Sequence, residues 1–488
     1  MRIGRRSGSL ALVLMVVACE RSPETITGNA PRPSMATTTS TAGATNPQAT
    51  IGINVLLKGP ATAAQVAELN RLGTVYDQIP ELNALLIRAK AGQLAAIQAL
   101  PFVVAANPDA ERKGAPVDAV SVSDFVLGRN TWDLDAINVT NLVPGPDNDR
   151  TITFDGSGVY VGVLDTGLLD SWRQYFPEQR IDTQHATAFS GGGASGNGNV
   201  PDLPNQWEHD QNSHGTHVTS TILGYSLFGT SINGVAPLAT VIPVKVLKQS
   251  GFGWSSMVAR GIIYVADLKT GPLAGHPVVI NMSLGGPALD AVEKAAIDFA
   301  ISKGVIIVAA AGNEGEKGMG FPGAYGPVIS AAASGWIGEW QPGADGNPRN
   351  WWIADDVPET GAANFYIAEF SSREKAGQDL DVAAPGSWVV GPFQLQSGKI
   401  SYFFLGGTSM ASPHVAGIVA LMAQKKPSLT ASEAENILEA TAMPLPTPAA
   451  PGRLVRNPNG TTRLVTWGAD ATGAGLVQAN AALAATTP

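Results

Sequence analysis

Cysteine is nearly absent. Cys19 is the only one in 488 residues, so no disulfide can form within the chain and stability has to come from packing. Histidine occurs only six times, and the H-E-x-x-H string of helical zinc peptidases is missing. His209, His214 and His217 are close in sequence, and residues i and i+3 share a helix face, yet without that string His217, like His414, reads as a packed helix residue. Charged residues are scarce at 15%, against a usual quarter. The net charge is −9 and no basic cluster occurs beyond the amino terminus, which leaves nucleic-acid binding without support. No apolar run is long enough to span a bilayer. Glycine, by contrast, is abundant at 55 residues. The length allows two or three domains and an ample core, and the composition suits a compact, loop-rich, exported enzyme.

Residues 1–19 read as an export signal: Arg2, Arg5 and Arg6 give a positive start, Leu10–Ala18 is a short apolar stretch, and Ala18 is a small residue before a cut. Val16-Val17-Ala18-Cys19 resembles a bacterial lipobox, which would make Cys19 the lipidated new amino terminus; plain cleavage after Ala18 also fits. Residues 20–50, rich in Thr, Ala, Ser and Pro, read as a flexible linker. Residues 51–113 form a unit of their own. Strands are expected at Ile51–Leu57, Leu82–Ile87 and Phe102–Asn107, and helices at Thr62–Leu72 and Ala91–Leu100. The expected order, β-α-β-β-α-β, is that of a ferredoxin-like α+β sandwich. A junction follows within Arg112–Leu127, and residues 114–488 make the main domain.

The chemistry centres on Gly406–Gly417, G-G-T-S-M-A-S-P-H-V-A-G, with Ser409 in the middle. Glycines allow a tight turn, Pro413 suits a first helical turn, and the apolar run Val415–Ala423 marks a helix buried on every face. Ser409 thus stands where a loop enters a buried helix, whose unpaired N–H groups can bind developing negative charge. A Ser/Thr helix cap is the commoner meaning of a lone G-T-S, but two other segments supply what a serine nucleophile needs. Val159–Asp170, V-Y-V-G-V-L-D-T-G-L-L-D, reads as a buried strand with Asp165 at its carboxyl end. Asn212–Gly224, N-S-H-G-T-H-V-T-S-T-I-L-G, opens a helix at His214. Asp, His and Ser in that order are one of three known orders for the hydroxyl–imidazole–carboxylate triad. Further buried runs at Val241–Leu247, Val278–Met282, Val305–Ala310 and Val328–Ala333 alternate with helical stretches Ser255–Leu268 and Asp290–Ser302, the pattern of a three-layer α/β domain with a mainly parallel sheet.

D-T-G, H-G-T-H-V and G-T-S-M-A-S-P-H-V-A-G resemble the three signatures of the subtilisin-like serine peptidases, and the likeness runs from about Trp132 to Leu483. The resemblance implies an endopeptidase acting on proteins or peptides, with Asp165, His214 and Ser409 as triad and Asn313, in A-A-A-G-N-E-G, as oxyanion donor beside the Ser409 amide. It implies substrate edges at Gly251–Gly253 and at Ser283-Leu284-Gly285-Gly286, and a specificity pocket lined by Ala310, Ala311, Gly312 and Gly320. Glu314 and Glu316 could bias that pocket toward basic residues. Residues 51–113 then resemble the inhibitory propeptides of this family, which act as intramolecular inhibitors and leave their carboxyl end in the cleft. Self-cleavage would release the enzyme from any lipid on Cys19. The chemistry needs no cofactor; structural calcium is an expectation, with Glu178, Asp202 and Asp210 as conceivable oxygen ligands. Gly335–Phe365, with Trp336, Trp340, Trp351 and Trp352, looks like an insertion, most simply a self-packed loop. The rival reading is an inactive surface lipoprotein that uses the fold for protein binding.

Overall fold

The computed structural model describes residues 46–122, 132–140, 150–194, 199–341, 361–394 and 401–488. Cys19, the export signal, most of the linker, Trp351 and Trp352 lie outside these residues, as does the end of the expected junction.

The amino-terminal unit contains β1 (Thr50–Leu57), α1 (Ala63–Leu69), β2 (Gly73–Ile79), β3 (Ala84–Lys90), α2 (Leu94–Gln98) and β4 (Val103–Pro108). Its sheet is antiparallel with strand order β2-β3-β1-β4. Thr62 and Gln65 exchange side-chain-to-backbone bonds at the start of α1, satisfying two helix-end donors at once. β2 escapes sequence reading because it opens on glycine and is largely half-exposed, without clean alternation. Along β1 the two-residue period sends Ile53 and Val55 into the unit's own core with Leu69, Leu85, Ile87 and Ile97. The opposite face of this sheet is not solvated: Ile79, Leu82, Ala84 and Leu86 share a second core with Met257, Val258, Val292 and Ala296 of the main domain.

The chain continues through β5 (Glu111–Lys113) and β6 (Asp118–Ser121) into the main domain. There β7 (Tyr160–Asp165), α3 (His214–Leu223), β8 (Thr240–Lys245), β9 (Phe252–Trp254), α4 (Ser255–Thr270), β10 (Val278–Met282), α5 (Ala291–Ser302), β11 (Val305–Ala310) and β12 (Ile329–Trp336) follow in turn. After them come β13 (Phe365–Ile367), β14 (Val382–Pro385), β15 (Val389–Pro392), β16 (Tyr402–Gly406) and α6 (Thr408–Lys425). The central sheet runs β13-β12-β11-β10-β7-β8 and ends on Thr187–Ala188, with β14 also paired to β12. All these pairings are parallel except β12 with β13. From β7 the chain moves first to β8 on one side and later to β10 on the other. The carboxyl end of β7 is therefore a topological switch point, where open α/β sheets bind ligands.

The start of the Gly335–Phe365 insertion is anchored in the main core. Trp340 is buried against Trp388 and Phe404, with ring centroids 5.4 and 4.9 Å apart. Glu339 beside it accepts bonds from the Trp336 N–H and the Tyr366 hydroxyl, and burial pushes its pKa up to about 8.

Candidate active site

Asp165 ends β7 and His214 begins α3, and the two elements are held together closely. Gly215 is the residue that permits this, because a Cβ there would lie 2.4 Å from the Gly167 carbonyl oxygen. The Thr166 hydroxyl accepts from the Gly215 N–H at 2.9 Å and donates to Asp210 Oδ2 at 3.0 Å. Burial pushes the pKa of Asp210 up to about 6 despite the nearby Lys245. Asp165 Oδ1 accepts from its neighbour's Thr166 N–H at 2.7 Å and pairs with His214 Nδ1 at 2.8 Å. Both residues are wholly buried. A carboxylate on Nδ1 fixes the tautomer, leaving Nε2 as the basic nitrogen, and Nε2 has no partner of its own.

Ser409 is the second residue of α6, whose first N–H groups have no partner within the helix. The helix is bolted to β10: the Ser283 hydroxyl donates to the Ser409 carbonyl at 2.8 Å, and the Ser412 hydroxyl to Asn281 Oδ1 at 2.6 Å. Ser409 Oγ donates to the Ser283 carbonyl at 3.3 Å instead of to His214. Ser283 O is the common neighbour, since a Cβ on Gly114 would meet it at 2.8 Å and His214 Cε1 at 3.2 Å. Contacts between a nucleophilic hydroxyl and its base are often loose before a substrate is in place.

Asn313 follows β11. Its Oδ1 accepts from both the Thr408 N–H and the Thr408 hydroxyl, at 2.9 Å each. A backbone N–H can only donate, so the oxygen must face Thr408 and the Nδ2 amide is left as a donor near Gly407, 3.7 Å from where a Cβ on that residue would sit.

The cleft is occupied by the chain itself. β5 pairs antiparallel with β9, setting Lys113 opposite Phe252 and Arg112 opposite Gly253. Lys113 exchanges two bonds with Gly285, 2.9 and 3.0 Å, and the Gly114 N–H donates to the Gly251 carbonyl at 2.9 Å. Gly251, Gly253, Ser283 and Gly285 thus line a strand-shaped slot. Leu284 differs from its neighbours, because its side chain is buried in the core. Ala310 and Ala311 are buried, and Gly312 lies against Gly320, whose Cα is 3.8 Å from where a Cβ on Gly285 would be. Glu314 and Glu316 are engaged on the surface with Lys317, Arg373 and Lys375 at 3.7–3.8 Å.

Polar groups missed in sequence reading join the two units beside this slot. Asp109 and Asp290 both approach Ser255 Oγ, at 2.9 and 2.8 Å, and both accept from Asn54 Nδ2. The Ser255 hydroxyl is thus shared between the two carboxyl groups, and its oxygen also accepts from the Ala110 N–H at 3.0 Å. Burial, and after it the Asp290 charge, hold the pKa of Asp109 above the ordinary range. Arg112, fully buried, forms an ion pair with the equally buried Glu293, with Nε at 2.9 Å from Oε1.

The histidines beside the site are structural. His217 donates from Nε2 to the Val389 carbonyl at 3.1 Å, and burial lowers its pKa to about 3. His414 lies between the Met410 carbonyl and Asp133, 2.8 Å from each. Glu178 pairs with Arg173 on the surface, and Asp210 is spent on Thr166. Among the described residues, the carboxylates that gather are Asp379, Asp381 and Glu435, with ligand oxygens within 4.8 Å of one another. Burial and mutual repulsion push Asp381 up to about 8 and Glu435 up to about 7. The folded state therefore holds protons there that the unfolded chain has released, so stability from these groups is present at low pH and lost as pH rises toward 7–8. Glu435→Gln is expected to raise the melting temperature above pH 7 and to leave it nearly unchanged at pH 4; thermal melts of a Ser409→Ala background would check this without self-digestion.

A model of the subtilase family matches residues 156–468. Subtilisin DY of Bacillus licheniformis is 34% identical over 293 residues, covering 59% of this chain and 85% of that protein. Subtilisin E of Bacillus subtilis (strain 168) is 35% identical over 293 residues, with 59% of this chain and 61% of that protein covered. The thermostable alkaline protease of Halalkalibacterium halodurans is 30% identical over 377 residues, covering 77% of this chain and 81% of its own. Among solved structures, fervidolysin from Fervidobacterium pennivorans, a keratinolytic enzyme related to subtilisin, superposes with a TM-score of 0.62 at 23% identity, covering 90% of this chain and 62% of that one. Sphericase gives a TM-score of 0.50 at 28% identity, with 72% and 99% covered.

Proposed function

Because the chain belongs to the subtilase family of serine endopeptidases, we propose that Ser409 is its nucleophile, His214 its general base and acid, and Asp165 the group that orients and stabilises the imidazolium. The observation that carries this is the buried Asp165–His214 pair, with an unpartnered Nε2, on the same wall as the Ser409 hydroxyl. His214 Nε2 removes the Ser409 proton as the oxygen attacks a peptide carbonyl, and then gives it to the leaving nitrogen. Asn313 Nδ2 and the Ser409 N–H hold the oxyanion. Water reverses the sequence and frees the acid product. A serine-directed phosphonate probe, added after limited trypsin removal of the amino-terminal unit, should label Ser409 in wild type and not in His214→Ala treated the same way; labelling that persists without the imidazole would remove His214 from this role.

Residues 51–113 act in this reading as an inhibitory propeptide of an exported zymogen, with β5 lying where a substrate strand would lie. Burial at this junction holds Asp109 above the ordinary carboxyl range, so its contribution to the grip is fullest at low pH and is lost as pH rises. After self-cleavage, recovery of activity on dilution should quicken as pH rises, and Asp109→Asn should flatten that dependence. Lipidation of Cys19 would tether the precursor only, so fractionation should find the active enzyme soluble and Ser409→Ala in the membrane. The chemistry itself runs without a metal or cofactor.

A further inference from the structure

The strand in the cleft does not stop at the slot. Beyond Gly114 the chain crosses to the other side, where the Val117 N–H donates to the Gly406 carbonyl at 2.6 Å. β6 then pairs antiparallel with β16 from Asp118 opposite Gly406 to Ser121 opposite Phe403. Both halves are thus in fixed register, Lys113 and Gly114 on Gly285 and Gly251, Val117 and Asp118 on Gly406. Only Ala115 and Pro116 span the gap. Gly114 lies against His214, and Pro116 Cα is 3.7 Å from where a Cβ on Gly407 would be, two residues before Ser409.

We infer that Ala115–Pro116 is the bond this precursor presents to its own serine, and that Pro116 makes its cleavage slow, so that the protein is held as a latent zymogen. The inference rests on Ser409 being the nucleophile. Cleavage forms an ester between Ser409 Oγ and the Ala115 carbonyl carbon while the bond to the Pro116 nitrogen breaks. The Ser409 proton passes through His214 to that nitrogen, which leaves as a secondary amine. Water then attacks the ester, its proton goes through His214 back to Ser409, and Ala115 ends as a carboxylic acid. For the nitrogen to leave, its lone pair must turn toward His214. In an ordinary residue the nitrogen inverts or turns about the breaking C–N bond, and φ adjusts so that the next N–H stays anchored. The pyrrolidine ring holds φ near −65°, and Val117 is tied to Gly406, so the turn has to drag the ring and the whole β6–β16 ladder. Misplacement of about 1 Å at a reacting centre costs roughly 10²-fold in rate. The neighbours match this reading: Gly114 has no side chain to obstruct the imidazole, and a Cβ there would sit 2.8 Å from Ser283 O.

The test follows purified precursors of wild type, Pro116→Ala and Ser409→Ala over time by intact mass and amino-terminal sequencing. The expected first new amino terminus is residue 116 in the first two, appearing about 10- to 100-fold faster in Pro116→Ala, with none in Ser409→Ala. A first cut at another bond overturns the assignment, and equal rates overturn the role of Pro116. Sequencing of the wild-type product reads the bond even should the variant fold poorly. A phosphonate probe, added after limited trypsin removal of the amino-terminal unit, separates the two kinds of failure. Labelling of Ser409 with a first cut elsewhere overturns this inference alone, whereas no labelling in any sample overturns the peptidase mechanism beneath it.

Discussion

Replacing Ser409 by alanine is expected to abolish turnover and leave the full-length chain uncut. The loss should be about 10⁶-fold in kcat, as known for the corresponding serine of a subtilisin. Two effects combine. In the proposed mechanism the alcohol forms the acyl intermediate, and without it His214 Nε2 has no proton to take, so Asp165 and the imidazole are left as an idle pair. Stability should change little, because the Ser409 hydroxyl makes one long bond, 3.3 Å to Ser283 O, while its backbone carbonyl keeps the bond from the Ser283 hydroxyl. Hydrolysis of a peptide substrate and intact mass of the purified chain check both halves. Turnover within tenfold of wild type would end the acyl-enzyme mechanism.

The second large effect is at Asn313. Its alanine variant should lose about 10²–10³ in kcat with KM nearly unchanged, because the amide meets charge that exists only in the transition state. Here the geometry adds a complication. Asn313 Oδ1 also satisfies the Thr408 N–H and hydroxyl at the start of α6, and an orphaned buried donor costs about 1–3 kcal/mol. Asn313→Ala should therefore lower both rate and melting temperature. Asn313→Asp keeps the acceptor for Thr408 and removes the donor, so it should lose rate and retain most of the stability. A stable aspartate variant with nearly full kcat would show that the amide does not meet the oxyanion and that its role is to hold the helix start.

Much of this protein is readable from the chain because its determinants are local. Asp165 and Ser409 each follow an apolar run and His214 opens a helix, all three in short glycine-flanked segments. Close backbone approach there demands glycine, as Gly215 against the Gly167 carbonyl illustrates. The buried strands announce themselves as continuous Val, Ile and Ala runs, since a parallel sheet covered on both faces has no polar side to expose. Where burial is partial the signal fails, and so β2, half-exposed along most of its length, has no range in the sequence reading. Other features are decided only by the fold. That Leu284 turns into the core, that Glu314 and Glu316 pair on the surface, and that Asp379 and Asp381 meet Glu435 all depend on contacts between distant segments. So does the meeting of Asp109 and Asp290 at the Ser255 hydroxyl, two carboxylates 181 positions apart whose approach no periodicity encodes. The path of residues 111–121 through the cleft belongs to the same class. Its composition reads as a polar junction, and only the edges of β9 and β16 on either side, with unpaired backbone groups to satisfy, turn it into a bound strand and bring Ala115 and Pro116 to the serine.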